Sequence, residues 1–281
     1  MSKRERPVAM VTGASRGIGK AIALTLAASG YDVAVTGRTV HAGDPSALAP
    51  ENGAALPGSL DETVALVEGA GGRAVAVPLD LLDGDAIAPA VDAVVAAFGR
   101  IDVLVNNAIY VGPGNTSRFL DNDPRIIADR LFGNLTAQLL LSHRAVGHMV
   151  AQGGGTVLNI TSSAGYAPVT RRPGDGGWSL AYGVSKAGFT RVAQQLAVEY
   201  GDEGIRAYSL NPGFVATERV LAAGASLAWV AAAGIDPAVI GLVVAWVLGE
   251  GSAGLANGAL IEAVDVAARL GFGLTRPTAA P

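Results

Sequence analysis

The chain has 281 residues, half of them apolar and only 16% charged, as expected for a globular protein with one large core. Its net charge of -4 provides no basic surface for nucleic acid, and the lack of cysteine excludes disulfides and thiolate metal sites. The apolar run after the charged N-terminus is too short for a signal peptide or a membrane span. We therefore expect a cytoplasmic protein that binds neither nucleic acid nor membrane.

Short aliphatic runs alternate with longer helical patterns along the whole chain. The first run, "VAMVTG", has the continuous apolar pattern of a buried strand, "GKAIALTLAASG" is typical of a helix stopped by Gly30, and "YDVAVTGR" is typical of the next strand. Five later runs repeat the strand pattern: "RAVAVPLD", "IDVLVNNA", "GTVLNITS", "IRAYSLNPG" and "NGALIEA". Seven strands with helices between them predict an α/β protein with a parallel sheet covered on both faces.

Two segments interrupt this alternation. Residues 39–60, rich in Gly, Pro and Ala, follow the second strand, and residues 167–179 separate the fifth strand from its helix. No repeat, charge block or linker divides the chain. We predict a single domain with a core at about 8–265, these two insertions, and a loose C-terminal tail at about 271–281.

A glycine-rich turn joins the first strand to the first helix. In "TGASRGIG", residues 12–19, the glycines permit a tight turn and a close backbone approach to a pyrophosphate at a helix N-terminus. This turn alone is weak evidence, because an ordinary strand-to-helix connection can contain similar residues. Four later strands also end in polar or turn-forming residues, at the edge where parallel sheets bind ligands: Asp80; Asn106, Asn107 and Ala108; Ser162 and Ser163; Asn211, Pro212 and Gly213.

Tyr182 and Lys186 stand four residues apart in "SLAYGVSKAGF", where a long helix is predicted to begin. Residues with this spacing share a helix face, so the Lys186 ammonium is placed to favour the phenolate form of Tyr182 and to lower its pKa from about 10. A tyrosine with a lowered pKa can exchange protons near neutrality. By itself the pair has a second interpretation, since tyrosine and lysine at this spacing often lie on a helix surface.

Taken together, these motifs resemble those of the short-chain dehydrogenase/reductase family. The match extends over roughly residues 8–265 and includes T-G-x-x-x-G-x-G, N-N-A, a serine after the fifth strand, Y-x-x-x-K and N-P-G. The resemblance implies a Rossmann-type doubly wound sheet and an NAD(P)(H)-dependent oxidoreductase that interconverts a ketone or aldehyde and an alcohol. It also implies the catalytic set Asn134, Ser162, Tyr182 and Lys186.

The resemblance assigns each catalytic residue a role. Tyr182 exchanges the proton of the carbonyl oxygen, Ser162 hydrogen-bonds that oxygen, and Lys186 also reaches the nicotinamide ribose. Asn134, on the fourth helix, holds a water that relays protons to Lys186. Ser163 stays an alternative to Ser162, and a helix-interior role at a kink stays an alternative for Asn134.

The second strand ends in Gly37 and Arg38, where an NAD site usually carries an acidic residue. A guanidinium fork suits a 2'-phosphate, which Ser15 and Arg16 could also bind, so the sequence favours NADP(H), with NAD(H) possible. Asp32 lies at the wrong end of this strand. The expected cofactor-binding residues are Gly13, Ser15, Arg16, Gly17, Ile18, Gly19, Arg38, Asp80, Leu81, Asn107, Ala108, Tyr182, Lys186, Pro212, Gly213, Val215 and Thr217.

The substrate end of the site is less predictable. Ile109 replaces the glycine usual after N-N-A in the family, and the loop before Tyr182 is longer than is common. We expect residues 168–178 and the segment after Gly213 to form a lid. Five aromatic residues on nearby segments favour an apolar or ring-containing small-molecule substrate, with ordinary packing as the alternative: Tyr110, Tyr166, Trp178, Phe214 and Trp229.

The sequence is compatible with alternative activities and predicts an assembly. A nucleotide sensor or scaffold without turnover is the alternative from another class, and an NAD-linked alcohol dehydrogenase or an enoyl reductase are alternatives among enzymes. Apolar residues on the helices at 134–150 and 182–200 exceed what one sheet face needs, and in the family such helices pair, so we expect a homodimer or homotetramer. The three histidines have no metal-ligating spacing with carboxylates, and we predict no metal site.

Overall fold

Seven parallel strands form one sheet in the computed structural model, which describes residues 6–47 and 52–274. In chain order the strands are β1 (Val8–Thr12), β2 (Asp32–Gly37), β3 (Ala74–Pro78), β4 (Val103–Asn106), β5 (Gly155–Ile160), β6 (Ile205–Asn211) and β7 (Leu260–Glu262). Their order across the sheet is β3-β2-β1-β4-β5-β6-β7, and all neighbours pair in parallel. The predicted Rossmann-type doubly wound sheet is confirmed.

Ten α-helices lie between or after these strands in the described residues. They are α1 (Gly17–Ala28), α2 (Leu60–Gly69), α3 (Gly84–Phe98), α4 (Pro124–Leu131), α5 (Ala137–Ala151), α6 (Leu180–Tyr200), α7 (Glu218–Ala222), α8 (Ala228–Ala233), α9 (Pro237–Leu248) and α10 (Ala263–Leu270). No helix in this described part of the chain is long and apolar enough to cross a membrane.

Both faces of the sheet are buried, which explains the continuous apolar strands. In β1, Ala9 and Val11 belong to the apolar cluster on one face, and Val8 and Met10 belong to the cluster on the other. Alternate side chains of a strand point to opposite faces, so a strand covered on both sides needs apolar residues at every position. Helix α1 packs on α9 over the first face, and α3 packs on α5 over the second.

The helix expected around Asn134 is interrupted. A five-residue π-helical segment, Phe132–Thr136, separates α4 from α5, and Asn134 lies at its centre. The sequence predicts one helix around Asn134, because the periodicity of a short π-helical segment cannot be distinguished from that of an α-helix. Such segments often mark functional sites, since they turn a side chain that a regular helix would direct elsewhere.

The second insertion lies wholly within the described residues, and the first insertion and the tail lie only partly within them. Between β2 and α2 the chain makes a short 3-10 turn, Pro45–Ala47, and residues 48–51 of the predicted insertion lie outside the described residues. Residues 167–179 form a loop with an isolated bridge between Pro173 and Gly177. Helix α10 ends at Gly271, whose φ of 71° is left-handed, and residues 275–281 of the predicted tail lie outside the described residues.

Candidate active site

The strand order reverses between β1 and β4, and this reversal opens a crevice at the carboxyl ends of the two strands. Thr12 ties these ends together. Its buried hydroxyl accepts hydrogen bonds from the backbone amides of Asn107 and Ala108, both at 2.9 Å, and donates to the carbonyl of Val105 at 3.3 Å. In the sequence, Thr12 stands out only as part of the glycine motif. A single hydroxyl has no periodic pattern that predicts several long-range hydrogen bonds.

The glycine loop fits tightly against the end of β4. Gly13 has a φ of 68°, and a Cβ built there would lie 2.9 Å from the Cα of Ala108. A Cβ built on Gly19 would lie 2.3 Å from the carbonyl oxygen of Gly13, so neither position accepts a side chain. Helix α1 begins at Gly17 without a side-chain cap, and its first amides are therefore suited to an anion such as a pyrophosphate.

Two arginines lie beside this loop with different partners. Arg16 donates from Nε to the carbonyl of Pro57 and from Nη2 to that of Gly58, both at 2.8 Å, and so holds the first insertion against the glycine loop. Burial lowers the pKa of Arg16, and the charge of Arg38 acts in the same direction. Arg38 is exposed and lies just after the end of β2. Of the two, Arg38 is the better placed to meet a ligand.

The acidic residue of β2 lies far from this arginine pair. Asp32 is the first residue of the strand, is buried, and forms ion pairs with Arg6 at 3.0 Å and Arg73 at 2.7 Å. Its carboxylate therefore stabilises the opposite edge of the sheet.

One cavity of about 430 Å³ extends from the glycine loop to α6 and α7. Among the residues predicted for the site, Gly19 lies beneath the loop and Asn134 lies behind the wall, and neither lines the cavity. The others line it: Gly13, Ser15, Arg16, Gly17, Ile18, Arg38, Asp80, Leu81, Asn107, Ala108, Ser162, Tyr182, Lys186, Pro212, Gly213, Val215 and Thr217. The carboxyl ends of the strands thus bring together residues from the whole length of the chain.

Ser162, Tyr182 and Lys186 line this cavity together. Helix α6 begins after Ser179, whose hydroxyl accepts from the amide of Tyr182 at 3.3 Å and so orients its first turn. The Ser162 hydroxyl hydrogen-bonds the Tyr182 side chain, and Lys186 Nζ donates to the carbonyl of Ile160 at 2.9 Å. Ser163 also lines the cavity, but the contact with Tyr182 is made by Ser162.

Burial is the largest influence on the pKa values of both Tyr182 and Lys186. Burial raises the pKa of Tyr182, while the hydrogen bond from Ser162 and then the charges of Arg130 and Arg219 act to lower it. Burial lowers the pKa of Lys186 to about 7. Lys186 Nζ lies 6.0 Å from the centroid of the Tyr182 ring, and the lowering of the Tyr182 pKa by Lys186 stays a prediction. A buried lysine loses its proton readily, whereas an arginine stays charged.

Asn134 connects the end of β4 to α6. Its Oδ1 accepts from the amide of Tyr110 at 2.7 Å, and its Nδ2 donates to the hydroxyl of Ser185 at 3.2 Å. Ser185 in turn donates to the carbonyl of Tyr182 at 2.8 Å. The amide of Asn134 thus bonds protein atoms at both ends and fixes the loop after β4 relative to the first turn of α6.

Two arginines near the site were missed by the sequence analysis. Arg130, one helical turn before Asn134, donates from Nη2 to the carbonyls of Gly112 at 3.1 Å and Pro113 at 2.6 Å. Arg219, on α7, donates from Nη2 to the carbonyl of Val111 at 3.4 Å. The sequence carried one signal for Arg130, which stands four residues before Asn134, about one helical turn away.

Trp178, Tyr182 and Phe214 line the cavity, and ring contacts through Trp229, which does not line it, join the two predicted lid segments. The ring centroid of Trp178 lies 5.1 Å from that of Tyr182 and 5.2 Å from that of Trp229, which lies 5.2 Å from Phe214. Tyr166 lies outside this cavity, and its hydroxyl donates to the carboxylate of Glu262. Tyr166 instead lines a second cavity together with Trp178 and the loop at 167–179, and Glu262 at the end of β7 accepts a hydrogen bond from its hydroxyl.

Residues 6–47 and 52–274 contain no group of three or more His, Asp or Glu side chains that could hold a metal ion. Two of the three histidines pair with single carboxylates instead. His41 Nδ1 lies 2.6 Å from Asp61, and His148 Nε2 lies 2.9 Å from Asp92.

Comparison with known proteins relates this site to a single family. A family model described as short chain dehydrogenase matches residues 7–226. A 3-oxoacyl-[acyl-carrier-protein] reductase of Synechocystis sp. is 35% identical over 75% of this chain and 75% of its own, and a cyclohexanol dehydrogenase of Acinetobacter sp. is 32% identical over 77% and 76%. Carveol dehydrogenase of Mycobacterium avium, solved in complex with NAD, is 25% identical, with a TM-score of 0.75 over 91% of this chain and 95% of its own.

Proposed function

Because the chain belongs to the short-chain dehydrogenase/reductase family, whose members are NAD(P)-dependent oxidoreductases, we propose that it interconverts a ketone or aldehyde and an alcohol, with Tyr182 as general acid and base. The observation that carries this proposal is the contact of buried Tyr182 with Ser162 beside buried Lys186, in the cavity that also contains the glycine loop. A sensor or scaffold without turnover has no need of these three side chains together.

Each side chain has a chemical task in this proposal. The bound nicotinamide cofactor supplies or accepts the hydride. In reduction, Tyr182 Oη donates its proton to the carbonyl oxygen, and Ser162 Oγ hydrogen-bonds the same oxygen and stabilises the charge that develops there. In oxidation, Tyr182 takes the proton back. Lys186, with a pKa of about 7, can hold or release a proton near neutrality, which suits a relay that resupplies Tyr182.

We propose NADP(H) as the preferred cofactor. Gly37 and Arg38 follow the body of β2, where a carboxylate for the ribose hydroxyl would stand in an NAD site. Arg38 lines the cavity together with the hydroxyl-bearing residues Ser15, Thr39 and Ser46, which are suitable donors for a 2'-phosphate. NAD(H) is the second candidate, because carveol dehydrogenase of M. avium was solved with NAD.

We propose an apolar or ring-containing substrate. Trp178, Phe214, Leu227 and Val230 contribute an aromatic and aliphatic wall to the cavity beside Tyr182. Such a wall gains free energy from excluding water around an apolar ligand, and its ring faces suit a cyclic one. The similarity to a cyclohexanol dehydrogenase supports the same class.

We also propose that the protein is a homodimer or homotetramer in the cytoplasm. Leu139 and Leu140 on α5, and Val184 and Val198 on α6, are each at least 43% exposed, an apolar excess that a second copy could cover. The lack of cysteine suits a reducing compartment. Light scattering at micromolar concentration tests the assembly, and a monomeric mass would contradict it.

A panel of ketones, secondary alcohols and enoyl thioesters, followed by NADPH and NADH absorbance, tests the proposed reaction. We expect turnover of cyclic ketones with NADPH, and its loss in Tyr182→Phe. Turnover of enoyl thioesters alone would assign an enoyl reductase. Tight cofactor binding without turnover of any compound would favour the nucleotide sensor.

A further inference from the structure

Arg130 is a buried cation without a carboxylate partner. The side chain lies in the last turn of α4, only 2% of the residue is exposed, and no carboxylate of residues 6–47 or 52–274 forms an ion pair with it. Buried arginines are rare because the loss of hydration is costly, and they are normally paired. Arg130 instead binds two backbone carbonyls, those of Gly112 and Pro113, and this arrangement needs a reason.

The same guanidinium supports the ring of Tyr110. Its central carbon lies 5.2 Å from the ring centroid, within the range of a cation–π contact. Two glycines leave the space that this ring occupies. A Cβ built on Gly112 would lie 2.0 Å from the Tyr110 hydroxyl, and one built on Gly133 would lie 2.9 Å from the Tyr110 Cβ. Tyr110 is thus held between Arg130 and two positions that accept no side chain.

Hydrogen bonds connect the Tyr110 loop to the proposed catalytic residues. The amide of Tyr110 donates to Asn134, and Asn134 donates to Ser185 between Tyr182 and Lys186. Tyr110 also lines the cavity, so a displacement of the loop after β4 would change both the wall of the cavity and the partner of Asn134.

We propose that Arg130 is a positioning residue for the reaction, which holds residues 110–113 so that Asn134 is fixed behind Tyr182 and the cavity wall keeps its shape. The inference rests on the proposed function, because it assigns Arg130 a role in that reaction. Since a misplacement of about 1 Å far from the chemistry can cost on the order of 100-fold in rate, a role of this kind is measurable in kinetics.

The charge of Arg130 supports this role. Arg130 acts on Tyr182 from α4, Arg219 acts on it from α7, and Lys186 lies on the same helix as Tyr182. Tyr110 and Arg219 are in turn the charged or titratable groups that act on Arg130, besides Tyr182 itself. A neutral residue at position 130 therefore removes one of the two arginine charges that act to lower the Tyr182 pKa within the described residues, and this pKa rises.

Arg130→Met and Arg130→Lys, with Arg144→Met as the matched control, test the proposal. Arg144 pairs on the surface of α5 with Asp92 at 2.6 Å, away from the cavity. The first measurement is hydrogen exchange at the Tyr110 amide, which needs no substrate. We expect exchange about 10-fold faster or more in Arg130→Met, an intermediate value in Arg130→Lys, and no change in Arg144→Met.

The second measurement is the pH dependence of kcat and KM with a ketone that the wild type reduces. Arg130→Met should lower kcat/KM about 10-fold or more and shift the pH profile upward, while the cofactor Kd stays within about twofold. Arg130→Lys should restore kcat/KM and the pH profile only in part, because a lysine buried at this position donates without the planar fork and loses its proton readily.

Unchanged exchange at Tyr110 with unchanged kcat/KM in folded Arg130→Met would overturn the proposal, as would lost stability with normal kinetics. If Arg130→Met does not fold, Gly133→Ala displaces Tyr110 without altering Arg130, and unchanged exchange and kinetics in that folded variant reject the proposal equally. If the wild type turns over no carbonyl compound, the proposed function fails separately, and the exchange measurement still decides whether Arg130 holds the loop.

Discussion

The two ends of the cavity are built by different means. At the cofactor end, the glycine loop touches the end of β4 through backbone atoms, and a Cβ on Gly13 or Gly19 would lie within 3 Å of them. At the substrate end, Trp178 of the loop at 167–179 contacts Trp229 of the segment after Gly213, and Trp229 contacts Phe214, in each case through the rings. One end is defined by strand and turn geometry, the other by side-chain packing.

This difference matches two tasks: the cofactor end binds the same ligand in every turnover, and the substrate end selects the substrate. A site built from close backbone contacts tolerates few substitutions. Such a site suits the pyrophosphate of a cofactor, which is the same in every turnover. Ring contacts between loops can be exchanged without disturbing the sheet. Tyr182 lies between the two ends, and Trp178 packs directly on it. Substitutions at the cofactor end should therefore change the cofactor Kd, and substitutions at the substrate end should change the substrate KM.

The largest effect is expected at the boundary between the ends. Tyr182→Phe removes the transferable proton and leaves the ring that packs on Trp178, so kcat should fall by a factor of about 1,000 or more. The cofactor Kd, measured by fluorescence titration, should stay within about twofold. More than a few per cent of wild-type kcat would exclude Tyr182 as the acid and base.

Gly19→Ala should damage the cofactor end. The added methyl meets the Gly13 carbonyl and the side chain of Asn107, so the free energy of unfolding should fall by about 3 kcal/mol and the cofactor Kd should rise about 100-fold. Gly69→Ala in α2 is the control, because no atom lies within 4 Å of its added Cβ. Denaturant unfolding measures the free energy of unfolding, and cofactor titration measures Kd. Equal values for Gly19→Ala and Gly69→Ala would contradict the close backbone contact at Gly19.

Arg38→Asp should change cofactor choice while sparing the fold. Charge repulsion with a 2'-phosphate should weaken NADPH binding by about 2 kcal/mol, roughly 30-fold in Kd, and improve NADH relative to it. Calorimetric titration of both cofactors gives the ratio. An unchanged NADPH affinity would mean that Arg38 points away from the cofactor.

Lys186 should make stability depend on pH. Its folded pKa of about 7 lies below its ordinary value of 10.5, so the folded protein binds fewer protons than the unfolded chain between these values, and stability rises with pH across that window. Tyr182, whose pKa is raised, makes stability fall only above pH 10. Lys186→Met should lose this rise, which has a limiting slope of about 1.4 kcal/mol per pH unit. Denaturant unfolding at pH 7.5, 8.25 and 9 measures the stability of the wild type and of Lys186→Met. Parallel pH dependences would contradict a lowered pKa of Lys186.

The smallest effect concerns the substrate end. Trp178 and Trp229 join the loop at 167–179 to α8, so both segments should gain protection from hydrogen exchange when cofactor and substrate bind. Trp178→Leu removes a ring pair worth about 1 kcal/mol and should raise KM for the substrate several-fold without changing the cofactor Kd. Unchanged exchange across residues 171–178, with unchanged KM, would leave the loop without a catalytic role.

Local patterns were sufficient to predict the sheet and the order of its motifs. Seven apolar runs, the glycine turn and the spacing of Tyr182 and Lys186 are each encoded within about ten neighbouring residues. Strand and helix periodicity and the conformational freedom of glycine act over that range. The carboxyl ends of parallel strands meet at one edge, so the sequence also predicted which residues line one cavity.

The electrostatics and the substrate wall were decided only by tertiary structure. The sequence could not show that burial lowers the pKa of Lys186, that the charges of Arg130 and Arg219 act on Tyr182, or that Tyr166 is held by Glu262. Nor could it show the π-helical segment around Asn134, since its turn is held by contacts with Tyr110 and Ser185 from other elements. Burial and long-range contacts set these properties, because a pKa or a ring contact depends on which distant residues pack around a group.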